Sequence, residues 1–253
     1  MTPRDGRAPA EAGRWAPGTL LHVLGDDDRR CLLELGTRRT FPPGATLIDE
    51  GAAGGDVFVL LDGYCKVLGN TVDGRAVLLS IRCQGEVVGE MAALDQRPRS
   101  ASVVALTEVA ARVVTQRAFL GYLRERPPAA RALQTAILGE FRRVTRHRLF
   151  ISGAPAVVRL VLVLNYLADV YGRPCAEGVR IEVPLSQPEL ASLIGVSEPS
   201  LHRAVTELRT REVISTRYRR MVVRDPAALR ALAAHGADPA VAVPGVTEDD
   251  VDL

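Results

Sequence analysis

The residues best equipped for chemistry stand in one run, Gly85-Glu86-Val87-Val88-Gly89-Glu90-Met91-Ala92-Ala93-Leu94-Asp95-Gln96-Arg97-Pro98-Arg99-Ser100-Ala101. Gly89, flanked by Val88, Met91 and Ala92, permits a close backbone approach, and the amides that follow it can form an anion-binding concavity. Glu90 offers acceptors to a sugar hydroxyl, while Arg99 offers a planar fork that matches two oxygens of a phosphate. Ser100 adds a hydroxyl and Ala101 a backbone donor. The chemistry is non-covalent capture of a small anion bearing hydroxyls. By itself the run is equally compatible with a turn closed by a Glu–Arg ion pair.

A second run, Leu185 to Leu208, has the pattern of two short amphipathic helices about a sharp turn at Gly195. Ser186 stands before Gln187-Pro188-Glu189 at capping-box spacing, and Ser197 stands before Glu198-Pro199-Ser200 as a second cap. Leu190, Ala191, Ile194, Val196, Leu201, Val205 and Leu208 supply the apolar faces. This is the pattern of a helix-turn-helix, which would offer Ser186 and Gln187 at the start of its first helix and Ser197, Glu198, Ser200, His202 and Arg203 at its second to DNA. Beyond it, Val213–Thr216 and Met221–Val223 read as a β-hairpin wing around Arg217-Tyr218-Arg219-Arg220. From Pro184 to Arg224 there are seven arginines against four glutamates, so the segment is locally basic although the whole chain carries only +2. A basic tip of this kind meets phosphates; a solvated charged turn is the alternative.

These residues need elements to hold them. Short apolar runs at Ala45–Asp49, Val57–Leu61, Cys65–Leu68, Ala76–Arg82, Val87–Val88, Ala101–Leu106 and Val109–Val114, punctuated by glycines, predict a β-barrel or sandwich over about 38–115. Asp73-Gly74 marks a hairpin turn. A short helical pattern precedes the barrel from Thr19 to about Arg38. After Thr115 the period becomes helical, with one helix over Gln116–Arg126 and a long one from Pro127-Pro128 onward. In the long helix Ala130, Ile137, Val144 and Ile151 recur at heptad spacing, which predicts a seam against a second copy, although Glu140 and His147 occupy the alternate positions. A helix packed on its own domain is the alternative. An apolar helix, Ala156–Tyr171, then leads into a Gly/Pro hinge at Gly172–Pro174 and the second domain. Residues 1–18 and 236–253 read as disordered tails.

Composition narrows the function. With 47% hydrophobic and 25% charged residues this is an ordinary globular protein, and no apolar run approaches the ~20 residues of a membrane helix. The N-terminal residues lack a secretion signal, so a cytoplasmic, membrane-free protein is expected. Cys31, Cys65, Cys83 and Cys175 are scattered without metal-ligand spacing. The four histidines lie in unrelated elements, and no nucleophile–base order or P-loop occurs, so neither a metal nor an enzyme is expected.

With Gly44, Glu50-Gly51 and Gly63 at their spacings, the run around Gly89-Glu90 and Arg99-Ser100-Ala101 resembles the phosphate cassette of cyclic-nucleotide-binding domains. Joined to the helix-turn-helix, it makes the chain resemble the cyclic AMP receptor protein (Crp/Fnr) superfamily over about 20–232. The fold that resemblance implies is α+β, with domains at 19–126 (jelly-roll sensor), 127–153 (dimerisation helix) and 154–235 (winged helix-turn-helix). It further implies cAMP or cGMP as effector, Glu90 on the ribose 2′-hydroxyl, Arg99 on the cyclic phosphate, and the base against the long helix, where Val144, Thr145 and Arg148 are candidates and Thr145 is preferred. Double-stranded DNA, a second copy of the chain and RNA polymerase are the implied partners. One departure stands out: relatives often begin the recognition helix with Arg-Glu, and this chain has Glu198-Pro199. Neither of those side chains offers the guanine-reading fork of an arginine.

Overall fold

The computed structural model describes residues 15–151, 153–217 and 219–236, the side chains of 146–151 and 235–236 excepted. The chain divides into two units between Leu149 and Phe150, in the last turn of the long helix.

The first unit opens with α1 (Leu20–Val23) and α2 (Asp26–Glu34), followed by β1 (Thr37–Phe41), β2 (Thr46–Ile48), β3 (Val57–Asp62), β4 (Tyr64–Asn70), β5 (Ala76–Cys83) and β6 (Val87–Val88). Helix α3 (Glu90–Asp95), strands β7 (Ser102–Ala105) and β8 (Val109–Val114), and helices α4 (Gln116–Glu125) and α5 (Pro127–Ile151) complete it. The strands form two antiparallel four-stranded sheets, ordered β1-β8-β3-β6 and β2-β7-β4-β5. This is the expected jelly roll. The hairpin at Asp73-Gly74 is also present, joining β4 to β5 with Gly74 in the left-handed region at φ 79°.

Strand β3 shows why its sequence, Val57-Phe58-Val59-Leu60, is apolar at every position. Phe58 and Leu60 point into the barrel with Phe41, Ile48, Cys65, Val88, Val103 and Ala111. Val57 and Val59 point the other way, into a second cluster with Leu21, Leu32, Phe119, Ala129 and Leu133. Successive strand residues face opposite sides, so a strand covered on both faces loses its polar alternation. One expectation needs correction here. Trp15 is buried in that second cluster, so the N-terminal tail does not extend to residue 18. Strand β1, Thr-Arg-Arg-Thr-Phe, adds to the strands read from the sequence: all of it but Phe41 is exposed, so it carries no apolar alternation, and it pairs antiparallel with β8.

The second unit begins with α6 (Ala156–Tyr171), then β9 (Gly172–Cys175), β10 (Gly178–Ile181), α7 (Gln187–Ile194), α8 (Glu198–Thr210), β11 (Ile214–Arg217), β12 (Arg220–Val223) and α9 (Pro226–Gly236). The supposed hinge at Gly172–Pro174 is in fact strand β9. It pairs with β10, which pairs in turn with the wing, giving the order β11-β12-β10-β9. Pro174 is tolerated because β9 is the edge strand. Leu160, Leu164, Leu167, Ile194, Leu201, Leu208, Ile214 and Leu229 are fully buried between helices and sheet.

Candidate ligand and DNA-binding sites

Eight of the nine residues expected to hold the ligand line one cavity of about 80 Å³: Val88, Gly89, Glu90, Met91, Ala92, Arg99, Ser100 and Ala101. Strand β6 delivers the chain to Gly89, which caps α3 in the left-handed region at φ 86°. A Cβ there would lie 2.7 Å from Arg99 Nη1 and 2.8 Å from the Asp56 carbonyl oxygen, so glycine is required twice over, by backbone angle and by space. Arg99 is 8% exposed. Its Nη1 donates to the Gly89 carbonyl at 2.8 Å and its Nη2 to the Asp56 carbonyl at 2.7 Å, so two backbone oxygens set the plane of the guanidinium. The Arg99 backbone is itself clamped: its amide donates to Ala52 O and its carbonyl accepts from Gly51. Both of these guanidinium contacts are to uncharged carbonyl oxygens and neither is to a carboxylate.

Glu90 stands in the first turn of α3. Burial pushes its carboxyl above the usual range, its own backbone amide and Arg82 oppose that rise, and Glu140 and Glu86 add to it. Val88 and Ala92 are buried and shape the wall, whereas Met91 is 53% exposed and Ser100 is exposed at the rim. Thr145 is not part of this cavity. It is exposed on α5, as is Val144, and the Arg148 side chain lies outside the described residues. Arg82 and Val67 also line the cavity and were not expected there. The signal for Arg82 was a charge between the apolar Ile81 and Cys83 in a strand otherwise devoted to packing.

The heptad expected as a seam is partly turned inward. Ile137 packs against the cluster of Leu21, Phe119 and Leu133 in its own unit. Among the described side chains of α5, the exposed large apolar residues are Leu138, Phe141 and Val144. A period of 3.6 residues produces adjacent stripes one position apart, and pattern alone does not say which faces the barrel.

In the second unit both caps form. Ser186 accepts from the Glu189 amide, and Glu189 reaches back to the Ser186 amide at 2.8 Å, completing the capping box. The Ser186 hydroxyl also donates to Glu189 at 2.7 Å, so that hydroxyl is engaged within the helix end. Ser197 accepts from the Ser200 amide at the start of α8. Gly195, at φ 65°, makes the turn between the helices. Burying Leu201, Ala204, Val205 and Leu208 leaves Glu198, Pro199, His202, Arg203, Thr206 and Arg209 on the outer face of α8. Arg203 Nη2 donates to the Ser200 hydroxyl at 3.3 Å. Gln187 is exposed at the start of α7, and Arg217, Arg219 and Arg220 are exposed on the wing, with Arg219 in the left-handed region at φ 49°. Cys65 and Cys83 are buried and all four cysteines are free. Among the described residues no cluster of His, Cys, Asp or Glu is placed to hold a metal, and no helix is long and apolar enough to cross a membrane.

A jelly roll with a buried arginine beside a desolvated glutamate, together with a winged helix-turn-helix, defines the class: DNA-binding regulators with a small-molecule sensor domain. Comparison with known proteins agrees. Residues 38–126 match the cyclic nucleotide-binding domain and residues 158–232 the Crp-like helix-turn-helix domain. The chain is 26% identical over 185 residues to a CRP-like cAMP-activated global transcriptional regulator of Mycobacterium tuberculosis, spanning 73% of this chain and 83% of that one. It is 24% identical over 214 residues to the cyclic AMP receptor protein of Thermus thermophilus, spanning 85% and 96%. In fold it is similar to FixK2 of Bradyrhizobium japonicum, with a TM-score of 0.68 at 20% identity, covering 78% of this chain and 97% of that one. The chain belongs to the Crp/Fnr family of DNA-binding transcription regulators.

Proposed function

We propose that the protein is a homodimeric regulator whose first unit binds a cyclic nucleotide, cAMP ahead of cGMP, and whose paired second units bind an inverted-repeat DNA site. The observation that carries the ligand reading is the convergence of the buried Arg99 fork and Glu90 on one cavity. In this reading Arg99 pairs with the cyclic phosphate and Glu90 accepts from the ribose 2′-hydroxyl, with Ser100 and the Ala101 amide at the phosphate edge. The preference for cAMP rests on the two relatives named for it. Calorimetry with cAMP and cGMP tests this. Saturable binding that Arg99→Ala removes is expected, and wild-type protein that binds neither nucleotide would overturn the reading.

The second copy packs, in this reading, on the exposed stripe Leu138, Phe141 and Val144 of α5. Gln134, Leu138, Phe141 and Thr145 follow alternating steps of four and three, the spacing of a coiled-coil seam. Thr145 therefore belongs to the seam, and a contact from it to the base comes from the paired chain. Sedimentation should show a dimer that Phe141→Glu disrupts, and a wild type monomeric at micromolar concentration would refute the seam. On DNA, the outer face of α8 reads the major groove while the wing arginines meet phosphates.

A further inference from the structure

Glu140 departs from the apolar pattern of α5, and the structure shows what occupies it. The Glu140 carboxylate takes Arg82 Nη2 at 2.6 Å and Arg143 Nη2 at 2.5 Å. Arg82 Nη1 also reaches Glu86 at 3.2 Å, and Arg143 reaches the same Glu86 oxygen at 3.5 Å. The second Glu86 oxygen accepts the Cys83 amide at 2.7 Å. Arg82, Glu86 and Glu140 keep no more than 20% of their side-chain surface exposed. This is a four-membered charge cluster, largely buried except for Arg143 at 37% exposure, joining β5, the turn after it and α5.

The cluster is not sealed off from the ligand cavity. Arg82, Val87 and Glu90 line both that cavity and a smaller one, about 40 Å³, whose far wall is α5 with Leu133, Ile137, Glu140 and Arg143. Arg82 therefore stands between the glutamate of α3 and the glutamate of α5. The charged groups that line the two cavities with Glu90 are Arg82 from β5, Glu86 from the turn, Glu140 and Arg143 from α5, and Arg99 from the segment before β7. Burial pushes the Cys83 thiol up, and it pushes the nearby Cys65 thiol up to about 12, so both stay neutral at ordinary pH. Arg82 and Arg143 hold the Glu140 carboxyl below the usual range against its burial. Arg82 is thus paired with the carboxylates of Glu140 and Glu86 and lines both cavities together with Glu90, whose carboxyl its charge favours in the ionised form against burial.

We propose that Arg82 is a positioning residue for Glu90, and that α5, through Glu140, sets how much of the Arg82 charge Glu90 feels. Moving α5 so that Glu140 leaves Arg82 frees that charge for Glu90 and stabilises the carboxylate there; drawing Glu140 closer has the opposite effect. The ribose contact and the long helix are then coupled through a single guanidinium. The consequence for ribose rests on the function proposed above, whereas the charge coupling does not.

The test is a carbon-13 NMR titration of the Glu90 carboxyl in the full chain, assigned with Glu90→Gln. Arg82→Met should raise the Glu90 midpoint by ~1 pH unit, since the cation that opposes its burial is gone. Arg82→Lys should restore most of the wild-type midpoint. Glu140→Gln should lower it, by removing a like charge and releasing Arg82. General loosening of the packing would admit water and lower the midpoint in every variant, so a rise in Arg82→Met separates the two explanations. A midpoint in Arg82→Met that stays within a few tenths of wild type, or falls, overturns the proposal. The same variants titrated with cAMP and 2′-deoxy-cAMP read the ribose arm: Arg82→Met should lose preference for the 2′-hydroxyl at a higher pH than wild type does. Wild-type protein that binds neither nucleotide would defeat the ribose reading, while the NMR titration would still decide the coupling.

Discussion

The two units use arginine in opposite ways. Arg99 is buried, its backbone clamped and its fork aimed by two carbonyl oxygens. The wing arginines Arg217, Arg219 and Arg220 are exposed at a two-residue hairpin turn. Desolvation makes the first kind of arginine expensive to leave without an anion and selective about the anion it takes. Solvent screening makes the second kind tolerant, so it attracts any phosphate and weakens with salt. Specificity in the sensor unit comes from a few fixed groups. On the proposed reading, base specificity in the DNA unit comes from the outer face of α8 and the wing arginines contact phosphates.

The strongest break of this contrast is at Gly89. Gly89→Ala puts a methyl against Arg99 Nη1 and the Asp56 carbonyl oxygen in a left-handed backbone position, so the fork must move. Loss of nucleotide affinity by roughly 100-fold or more is expected, since the charge-assisted contact depends on that geometry. Calorimetry checks it, and near-normal affinity would show that Arg99 is not the phosphate ligand. Arg203→Ala comes next. Losing a bidentate base contact costs ~1–3 kcal/mol, and selection on randomised duplexes should show relaxed preference at one position in each half-site. A uniform loss across all sequences would move Arg203 to the phosphate group. Ser186→Ala removes the capping box of α7, and thermal or urea unfolding should show ~1 kcal/mol less stability in the second unit. Its DNA affinity at fixed folded fraction should hardly change, because the hydroxyl is already engaged by Glu189. The smallest effect is expected at the wing: Arg219→Ala should weaken binding to every sequence alike and reduce the salt slope by about one unit. A sequence-dependent change there would blur the distinction between the two kinds of arginine.

Nucleotide affinity should also depend on pH through Glu90. Its carboxyl is raised in the folded protein, so the ionised acceptor is fully present only above that raised value. Affinity should therefore decline as pH falls through the titration of Glu90, at a pH above that of an ordinary glutamate. An affinity flat down to the usual carboxylate range would remove Glu90 from the ribose.

What was legible in the sequence is what local chemistry decides. The caps at Ser186 and Ser197, the turns at Gly195 and Gly74, and the positive φ at Gly89 follow from residue types a few positions apart, so order in sequence was sufficient. The cassette was legible for the same reason, since Val88 to Ala101 is a single continuous run and eight of its residues meet in one cavity. Strand β9 was not legible, because an Arg-Pro edge strand owes its place to β10 and to no pattern of its own. The orientation of α5 was not legible either. Ile137 and Leu138 are both apolar neighbours on one helix, and only the barrel packed beside them turns one inward and leaves the other exposed. Nor could the sequence bring Arg82 to Glu140: 58 positions apart, they meet because β5 and α5 pack side by side, and a buried ion pair exists only where the fold excludes water from both partners.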